Sequence, residues 1–135
     1  MITNSPSIVM GLMGANSIHV TCTAGDLLSD TGMIVGPHTV YFINEIDINK
    51  AFISCSGISL DKGINYNYSM VAEVVKTVIN SSKEVNLLAD STKFNEAGIT
   101  SIGPVTLVQR IFTDDNLAPH LAKDFRNEGI ELIPC

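Results

Sequence analysis

The chain has 135 residues, 45% of them hydrophobic and 16% charged, which fits one aliphatic-rich globular domain with a buried core. Its formal net charge of −6 and its scattered basic residues argue against direct nucleic-acid binding, because neutralising phosphates requires clustered Lys and Arg. No apolar stretch approaches the roughly 18 residues of a membrane span, and the N-terminus lacks a signal-peptide pattern.

Short apolar runs alternate with helical periods along the chain. In chain order we predict a helix over Ser5–Met13, a strand over Ile18–Cys22, a helix over His38–Glu45, a strand over Ala51–Cys55, a helix over Ser69–Asn80, strands over Val85–Ala89 and Ile111–Thr113, a helix from about Pro119 to Gly129 and a strand over Ile130–Ile133. This alternation predicts βαβ units, and therefore an α/β fold with a mainly parallel sheet in a single domain over residues 1–135.

Two of the predicted helices have clear local signals. The first has Ser5 in the cap position, Pro6 at the first helical position and Gly14 just past its end. Apolar residues at helical spacing indicate the face that each helix buries. They are Ile8, Val9, Leu12 and Met13 in the first helix, and Val71, Val74, Val75, Val78 and Ile79 in the third.

The cysteines and histidines indicate neither a disulfide framework nor a metal site. Cys22, Cys55 and Cys135 are odd in number, widely spaced and without a C-x-x-C pair. Cys22 and Cys55 lie in apolar runs and are predicted to be buried. The dispersed histidines have no carboxylate or cysteine at ligand spacing, so we expect no metal and no cofactor. Free thiols fit a reducing, cytoplasmic environment.

Polar residues gather directly after the predicted strands. Because ligands of open parallel sheets bind beyond the carboxyl ends of the strands, these residues are candidates for a shared site. They are Thr3, Asn4 and Ser5, residues 23–26, Ser54, Ser56 and Gly57, residues 90–93, and residues 113–115. Hydroxyl groups, glycines, carboxylates and a lysine suit a polyhydroxylated anionic ligand.

The same residues are also turn and cap formers, and that structural alternative stays open. Thr113-Asp114-Asp115 fits a turn and cap as well as it fits a site. Lys93 has a stronger pattern, since a lysine beside Asp90 at a strand end suits a phosphate or carboxylate anchor. Glu73 and Lys76 lie one turn apart on the third helix, opposite its valine face, where a solvated pair and a cleft lining are both open interpretations.

An ordered set of motifs resembles the C-terminal domain of DeoR-type transcription regulators. The set runs from Thr3-Asn4-Ser5 through Ala24-Gly25-Asp26-Leu27, Val35-Gly36-Pro37, Asp47-Ile48-Asn49-Lys50-Ala51-Phe52, Gly57-Ile58, Gly63, Ala72-Glu73 and Lys76 to Leu87-Leu88-Ala89-Asp90-Ser91-Thr92-Lys93-Phe94 and Thr113-Asp114-Asp115. It covers essentially the whole chain in the expected order. Single pieces are weak signals, and the ordered set is a strong one.

The resemblance implies a fold similar to ribose-5-phosphate isomerase and glucosamine-6-phosphate deaminase, with three layers and helices on both faces of a mainly parallel sheet. It implies a domain that senses a phosphorylated sugar and assembles into homodimers or homotetramers. In such regulators a winged helix-turn-helix domain binds operator DNA, and a Gly-Thr-Thr segment precedes the point where this chain begins. We therefore expect an N-terminally truncated sensor that reaches DNA only through another domain and contacts no membrane.

The resemblance also implies roles for single residues. Lys93 matches a lysine that contacts the anionic ligand in the related isomerases, and Asp90 would orient it. Glu73 and Lys76 match the helix that borders the cleft. The residues expected to bind the ligand are Thr3, Asn4, Ser5, Gly25, Ser56, Gly57, Glu73, Lys76, Asp90 and Lys93.

Three positions depart from the family pattern. Ala24 stands where Gly is typical, and Thr92 stands where Ser is usual. Ser56-Gly57 falls where the isomerases tend to have an acidic pair, and proton transfer beside a sugar carbonyl needs a positioned base. We therefore expect a sensor without catalytic activity. A phosphosugar isomerase or deaminase and a ligand-free oligomerisation module are the alternatives.

Overall fold

Two structural units follow one another along the chain in the computed structural model, which describes residues 1–135. The first is Met1–Ile46 and the second is Asp47–Cys135. The second unit contains most of the buried apolar side chains. None of the helices combines the length and the apolar composition that crossing a bilayer requires.

The first unit contains short strands and two helices. Its elements are β1 (Ile2–Thr3), α1 (Pro6–Gly11), β2 (Thr21–Cys22), β3 (Asp26–Leu28), β4 (Met33–Val35) and α2 (Pro37–Asn44). Strands β1 and β2 pair in parallel, and β3 and β4 form an antiparallel hairpin. A proline at the start of each helix pre-sets its backbone for helical geometry.

The second unit contains a parallel and an antiparallel sheet. Its elements are β5 (Ile48–Ile53), β6 (Gly57–Ser59), β7 (Gly63–Tyr66), α3 (Ser69–Asn80), β8 (Ser82–Leu88), β9 (Thr100–Gly103), β10 (Arg110–Thr113), α4 (Pro119–Asn127) and β11 (Glu131–Pro134). The four-stranded sheet has the order β11-β10-β8-β5, and all of its neighbours are parallel. The three-stranded sheet has the order β6-β7-β9 and is antiparallel.

Side-chain alternation along the strands explains how the parallel sheet packs. One face carries a buried apolar set: Ala51, Ile53, Val85, Leu87, Ile111 and Leu132. Helix α3 packs against β5 and β8, and α4 packs against β11. Phe125 of α4 meets Phe94 edge to face, with ring centroids 5.1 Å apart. The short apolar runs of the sequence therefore form the core of the second unit.

The structure confirms the predicted α/β class, with a mainly parallel four-stranded sheet flanked by helices. The third predicted helix is confirmed at both ends, Ser69–Asn80. The strands predicted after residue 47 are all present, with ends shifted by a few residues. The helices predicted over His38–Glu45 and from Pro119 are present as α2 and α4.

Several expectations for the first unit are wrong. The first helix ends at Gly11 rather than Met13, and the strand predicted over Ile18–Cys22 is present only at Thr21–Cys22. Helix α1 buries none of its residues, because six residues form less than two turns and present no continuous face. Its predicted apolar stripe is largely exposed, and Cys22 is exposed as well.

The prediction also omitted all three antiparallel pairings, β3 with β4, β6 with β7 and β7 with β9. Strands β6 and β7 are short and buried at every residue, so they have no polar alternation to mark them. On α3 the buried residues are Val71, Ala72, Val74 and Thr77, whereas Val75, Val78 and Ile79 are partly exposed. The predicted valine face is therefore confirmed only in part. Cys55, predicted to be buried, is partly exposed.

Candidate functional site

The carboxyl ends of β5, β8 and β10 meet at one edge of the parallel sheet, because these strands are neighbours and run in the same direction. Four predicted ligand residues follow two of these strands. Ser56 and Gly57 come after β5, and Asp90 and Lys93 come after β8. Ligands of open parallel sheets bind at this edge. We therefore take it as the candidate site of the second unit.

Asp90 starts the turn that carries Lys93. Its carboxylate accepts the Thr92 backbone N–H at 2.9 Å and also accepts the Thr92 hydroxyl, which caps a short 3₁₀ helix over Ser91–Lys93. The Thr92 hydrogen bond is the main reason that the pKa of Asp90 lies below its usual range, and the Lys93 ammonium lowers this pKa further. Asp90 makes no ion pair with Lys93, so its structural role is to shape the turn.

Asp114 holds the same turn from the neighbouring strand. One of its carboxylate oxygens accepts the Ser91 backbone N–H at 2.6 Å, and the other accepts the Asn116 N–H at 2.9 Å. These backbone hydrogen bonds lower the pKa of Asp114 to about 2. The preceding Thr113 hydroxyl is buried without a hydrogen-bond partner. The turn after β8 is thereby tied to the end of β10.

Gly57 lets the segment after Lys93 cross closely over β6. A Cβ at Gly57 would lie 2.5 Å from the Glu96 carbonyl oxygen, closer than real Cβ contacts. The crossing is held by a hydrogen bond from the Asn95 N–H to the Ile58 carbonyl at 2.8 Å. Gly57 therefore positions the Lys93 segment by being small. This packing role needs no direct contact with a ligand.

Ser56 has its hydroxyl engaged by the backbone. Its oxygen accepts the Asn67 N–H at 3.1 Å, and its own N–H donates to the Asn65 carbonyl at 2.9 Å. No carboxylate or histidine makes a hydrogen bond with this hydroxyl. The Ser56 hydroxyl therefore lacks a hydrogen bond to a base of the kind that nucleophilic or proton-transfer chemistry uses.

Cys55 lies close enough to Lys93 and Asp90 for their charges to affect its thiol, and Tyr66 lies close to Cys55. Burial raises the pKa of the Cys55 thiol to about 12, and this effect exceeds the opposing influence of nearby Lys93. The Tyr66 hydroxyl donates to the Ser54 carbonyl, and burial raises the pKa of Tyr66 as well. Both groups stay protonated at neutral pH. Lys93 therefore lies near a thiol that does not become an anion at neutral pH.

Glu73 and Lys76 are both exposed on α3. Neither side chain makes a hydrogen bond or ion pair. The backbone carbonyl of Glu73 accepts a hydrogen bond from the Thr77 hydroxyl at 3.0 Å. Their expected place beside a cleft stays a prediction.

Thr3, Asn4 and Ser5 follow β1 in the first unit. The Asn4 side-chain amide donates to the Ile34 carbonyl at 3.0 Å, and the Thr3 hydroxyl accepts the Ser5 N–H at 3.1 Å. Ser5 caps α1 by position but makes no side-chain capping bond. The side chains of Thr3 and Asn4 thus stabilise the start of the first unit, and their contact with a ligand stays a prediction.

Gly25 is required by close packing within the first unit. Its φ of +146° lies in a region that residues with side chains rarely adopt. A Cβ there would lie 2.5 Å from the Val35 carbonyl oxygen and would also collide with the Thr39 hydroxyl. That hydroxyl donates to the Ala24 carbonyl at 2.7 Å. The glycine therefore has a structural cause that is independent of any ligand.

Comparison with known proteins identifies the family. The family model described as the DeoR C terminal sensor domain matches residues 1–115. The chain belongs to this family. The ordered motifs predicted that the chain is a DeoR-type sensor domain, and the family match confirms that prediction.

The relatives of this DeoR-type domain are named as transcription regulators. "Uncharacterized HTH-type transcriptional regulator YulB" of Bacillus subtilis (strain 168) is 28% identical over 98% of this chain and 51% of the relative. The L-fucose operon activator of Haemophilus influenzae is 25% identical over 91% of this chain and 49% of the relative. The glycerol-3-phosphate regulon repressor of Escherichia coli (strain K12) is 26% identical over 100% of this chain and 54% of the relative. The chain spans about half the length of the curated relatives it matches.

Two residues that belong to this edge of the DeoR-type domain are absent from the predicted ligand residues. Asp114 was a site candidate within the run 113–115, with a turn and cap as the open alternative, and the structure shows that it joins the ends of β8 and β10. Tyr66 was not considered, although it lies behind Cys55. The polar run after β10 was the available signal for Asp114. No local pattern links Tyr66 to Cys55, because an antiparallel hairpin brings them together.

Proposed function

We propose that this DeoR-type sensor domain binds a phosphorylated sugar at the carboxyl edge of β5, β8 and β10. In this proposal the Lys93 ammonium contacts the phosphate. The binding then controls operator binding by a helix-turn-helix domain attached in the full-length protein. The observation that carries the proposal is that Lys93 lies on a turn braced from two strands and makes no ion pair of its own.

The chemistry of the edge supports an anionic, hydroxyl-rich ligand. A lysine without an ion-pair partner offers three N–H donors and a point charge to a phosphate. The Asp90 and Asp114 carboxylates each accept hydrogen bonds and retain lone pairs that sugar hydroxyls can donate to. Their low pKa values keep them ionised at neutral pH. One cation and two acceptors therefore match one phosphate and several hydroxyl groups.

The names of two relatives point to the same class of small molecule. One is named for a glycerol-3-phosphate regulon and one for an L-fucose operon. The first compound is a phosphorylated polyol and the second is a sugar. We propose a related phosphorylated compound for this chain, bound by Lys93, with Ser56, Gly57, Glu73, Lys76 and Asp90 as the other proposed ligand residues of the second unit. Thr3, Asn4, Ser5 and Gly25 are the ligand residues predicted in the first unit, each considered within that unit alone.

The surroundings of Ser56 and Cys55 support sensing rather than catalysis. The Ser56 hydroxyl has a backbone partner, and the Cys55 thiol stays protonated. Neither is an activated nucleophile or a proton-transfer base. In this proposal a ligand acts by binding two conformational or assembly states with different affinity, which is the thermodynamic requirement for control at a distance.

A thermal-shift screen tests the proposal. The chain is heated with glycerol 3-phosphate, hexose 6-phosphates and their unphosphorylated parents. A ligand at a hundred times its dissociation constant adds about 2.7 kcal/mol to the free energy of unfolding. We expect a shift with a phosphorylated compound, lost in Lys93→Ala and kept in Lys123→Ala, which removes an exposed lysine on α4.

Two outcomes would contradict the proposal. Equal shifts for Lys93→Ala and the unmutated chain would remove Lys93 from the site. Turnover of a sugar phosphate by the full-length protein would establish an enzyme in place of a sensor.

A further inference from the structure

Two threonine hydroxyls are buried without a hydrogen-bond partner, and both stand at the carboxyl end of a parallel strand. Thr113 is the last residue of β10 and is 5% exposed, and Thr23 directly follows β2 and is 4% exposed. The other buried threonines, Thr39 and Thr77, lie in helices, and each hydroxyl donates to a backbone carbonyl, at 2.7 Å and 3.0 Å. Folded proteins pair nearly all buried polar groups, because an unpaired one costs free energy. The two unpaired hydroxyls therefore point to a partner that the chain itself does not supply.

Thr113 adjoins the turn over residues 90–93. Phe112 pairs with Leu88 in the parallel ladder, and the Ala89 N–H donates to the Phe112 carbonyl at 3.0 Å. The pairing of β8 with β10 thus continues past Leu88 and sets Ala89 next to Thr113. Both residues are buried, as expected for neighbours on one face of the sheet. Ala89 adds only a methyl group beside the hydroxyl, and the turn begins at the residue that follows it.

The turn is the part of this edge that reaches solvent. Asp90 is exposed and Lys93 is partly exposed, whereas the Thr113 hydroxyl is covered. A hydrogen bond from the Ser91 N–H to the Asp114 carboxylate, at 2.6 Å, joins the turn to the residue after Thr113. A ligand held by Lys93 therefore meets the Thr113 hydroxyl only if the turn opens locally. The hydrogen bond between Ser91 and Asp114 is the contact that such an opening would release.

We propose that the Thr113 hydroxyl determines ligand specificity at this site, by exchanging a hydrogen bond with a hydroxyl group of the ligand whose phosphate contacts Lys93. This role rests on the proposed function and adds to it a polar group inside the edge of the sheet. Binding pairs a hydroxyl that the unliganded chain leaves unpaired, so the new hydrogen bond contributes to affinity without breaking an earlier one of Thr113. A phosphorylated compound that lacks the matching hydroxyl leaves Thr113 unpaired and is expected to bind more weakly.

Thr113→Val tests this role, because valine keeps the branched shape of the side chain and removes the hydroxyl. The chain is screened with glycerol 3-phosphate and hexose 6-phosphates, and calorimetric titration then gives the dissociation constant of each compound that shifts Tm. We expect Thr113→Val to raise that constant by at least about tenfold, which corresponds to about 1.4 kcal/mol. Thr113→Ser keeps the hydroxyl and should bind within about threefold of the unmutated chain.

The unliganded variants measure whether the hydroxyl is unpaired. Thr113→Val removes a buried polar group that has no partner, so its Tm should equal or exceed that of the unmutated chain. Thr39→Val is the matched control, since it takes a hydrogen-bond donor from the Ala24 carbonyl and should lower Tm by at least about 3 °C. A fall in Tm for Thr113→Val as large as that of the control would show that the hydroxyl already has a partner, and would overturn the proposal.

The titrations distinguish the role of Thr113 from the proposed function. An equal dissociation constant for Thr113→Val and the unmutated chain would remove Thr113 from the site and leave the role of Lys93 standing. An unmutated chain whose Tm shifts with none of the phosphorylated compounds would refute both.

Discussion

Replacing Gly57 by alanine should destabilise the second unit and displace the segment that carries Lys93. The added methyl group would lie 2.5 Å from the Glu96 carbonyl oxygen and 2.7 Å from its carbonyl carbon. Both are backbone atoms, so no side-chain rotation relieves the clash. Ordinary contact starts at 3.4 Å, and the backbone therefore has to retreat by about 0.9 Å.

A retreat of this size breaks a specific hydrogen bond. The Asn95 N–H lies 2.8 Å from the Ile58 carbonyl, and a shift of about 0.9 Å takes the pair beyond hydrogen-bonding distance. Overpacking costs about 1–3 kcal/mol, and the lost hydrogen bond adds about 1 kcal/mol. For a domain of this size we expect Tm to fall by roughly 5–15 °C.

Differential scanning calorimetry of Gly57→Ala measures this loss, and Gly11→Ala is the matched control. A Cβ at Gly11 meets nothing within 4 Å, and alanine favours the helix by up to about 1 kcal/mol. The control should therefore keep or raise the free energy of unfolding. A Tm for Gly57→Ala within about 2 °C of the unmutated chain would show that the crossing is not held as the structure describes.

Two further predictions concern the titrating groups of the site. Backbone hydrogen bonds lower the folded-state pKa of Asp114 from its usual 3.8 to about 2, so its stabilising effect is present above about pH 4 and is lost as the pH falls through 2. Asp114→Asn should therefore reduce the decrease in Tm over that pH range, and Asp115→Asn should leave the decrease unchanged. If Tm decreased as steeply in Asp114→Asn as in the unmutated chain, this source of acid sensitivity would be excluded. Because the pKa of Cys55 is about 12, an alkylating reagent at pH 8 should modify the exposed Cys22 and Cys135 at least about a hundredfold faster than Cys55. Peptide mass spectrometry follows each thiol, and equal rates for all three would contradict the raised pKa of Cys55.

Local sequence patterns predicted those parts of the fold that depend on one segment at a time. Helix α3 was predicted at both ends because its apolar residues recur at a helical period between polar ends. The strands of the parallel sheet were predicted because each is a short aliphatic run between turns. The family, too, could be inferred from ordered motifs, and the family match over residues 1–115 confirms it.

Contacts between distant segments decided the rest. The sequence around Gly57 does not reveal that a methyl group at this position would lie 2.5 Å from the Glu96 carbonyl oxygen. The Thr113-Asp114-Asp115 run fits any turn, and its bond to Ser91 depends on β10 lying beside β8. The sequence by itself determined which residues are apolar, where chain turns occur and that Lys93 follows a strand. Only the tertiary structure decided which turns share an edge and which carboxylates brace that lysine, because strand order is set by packing between segments far apart in the chain.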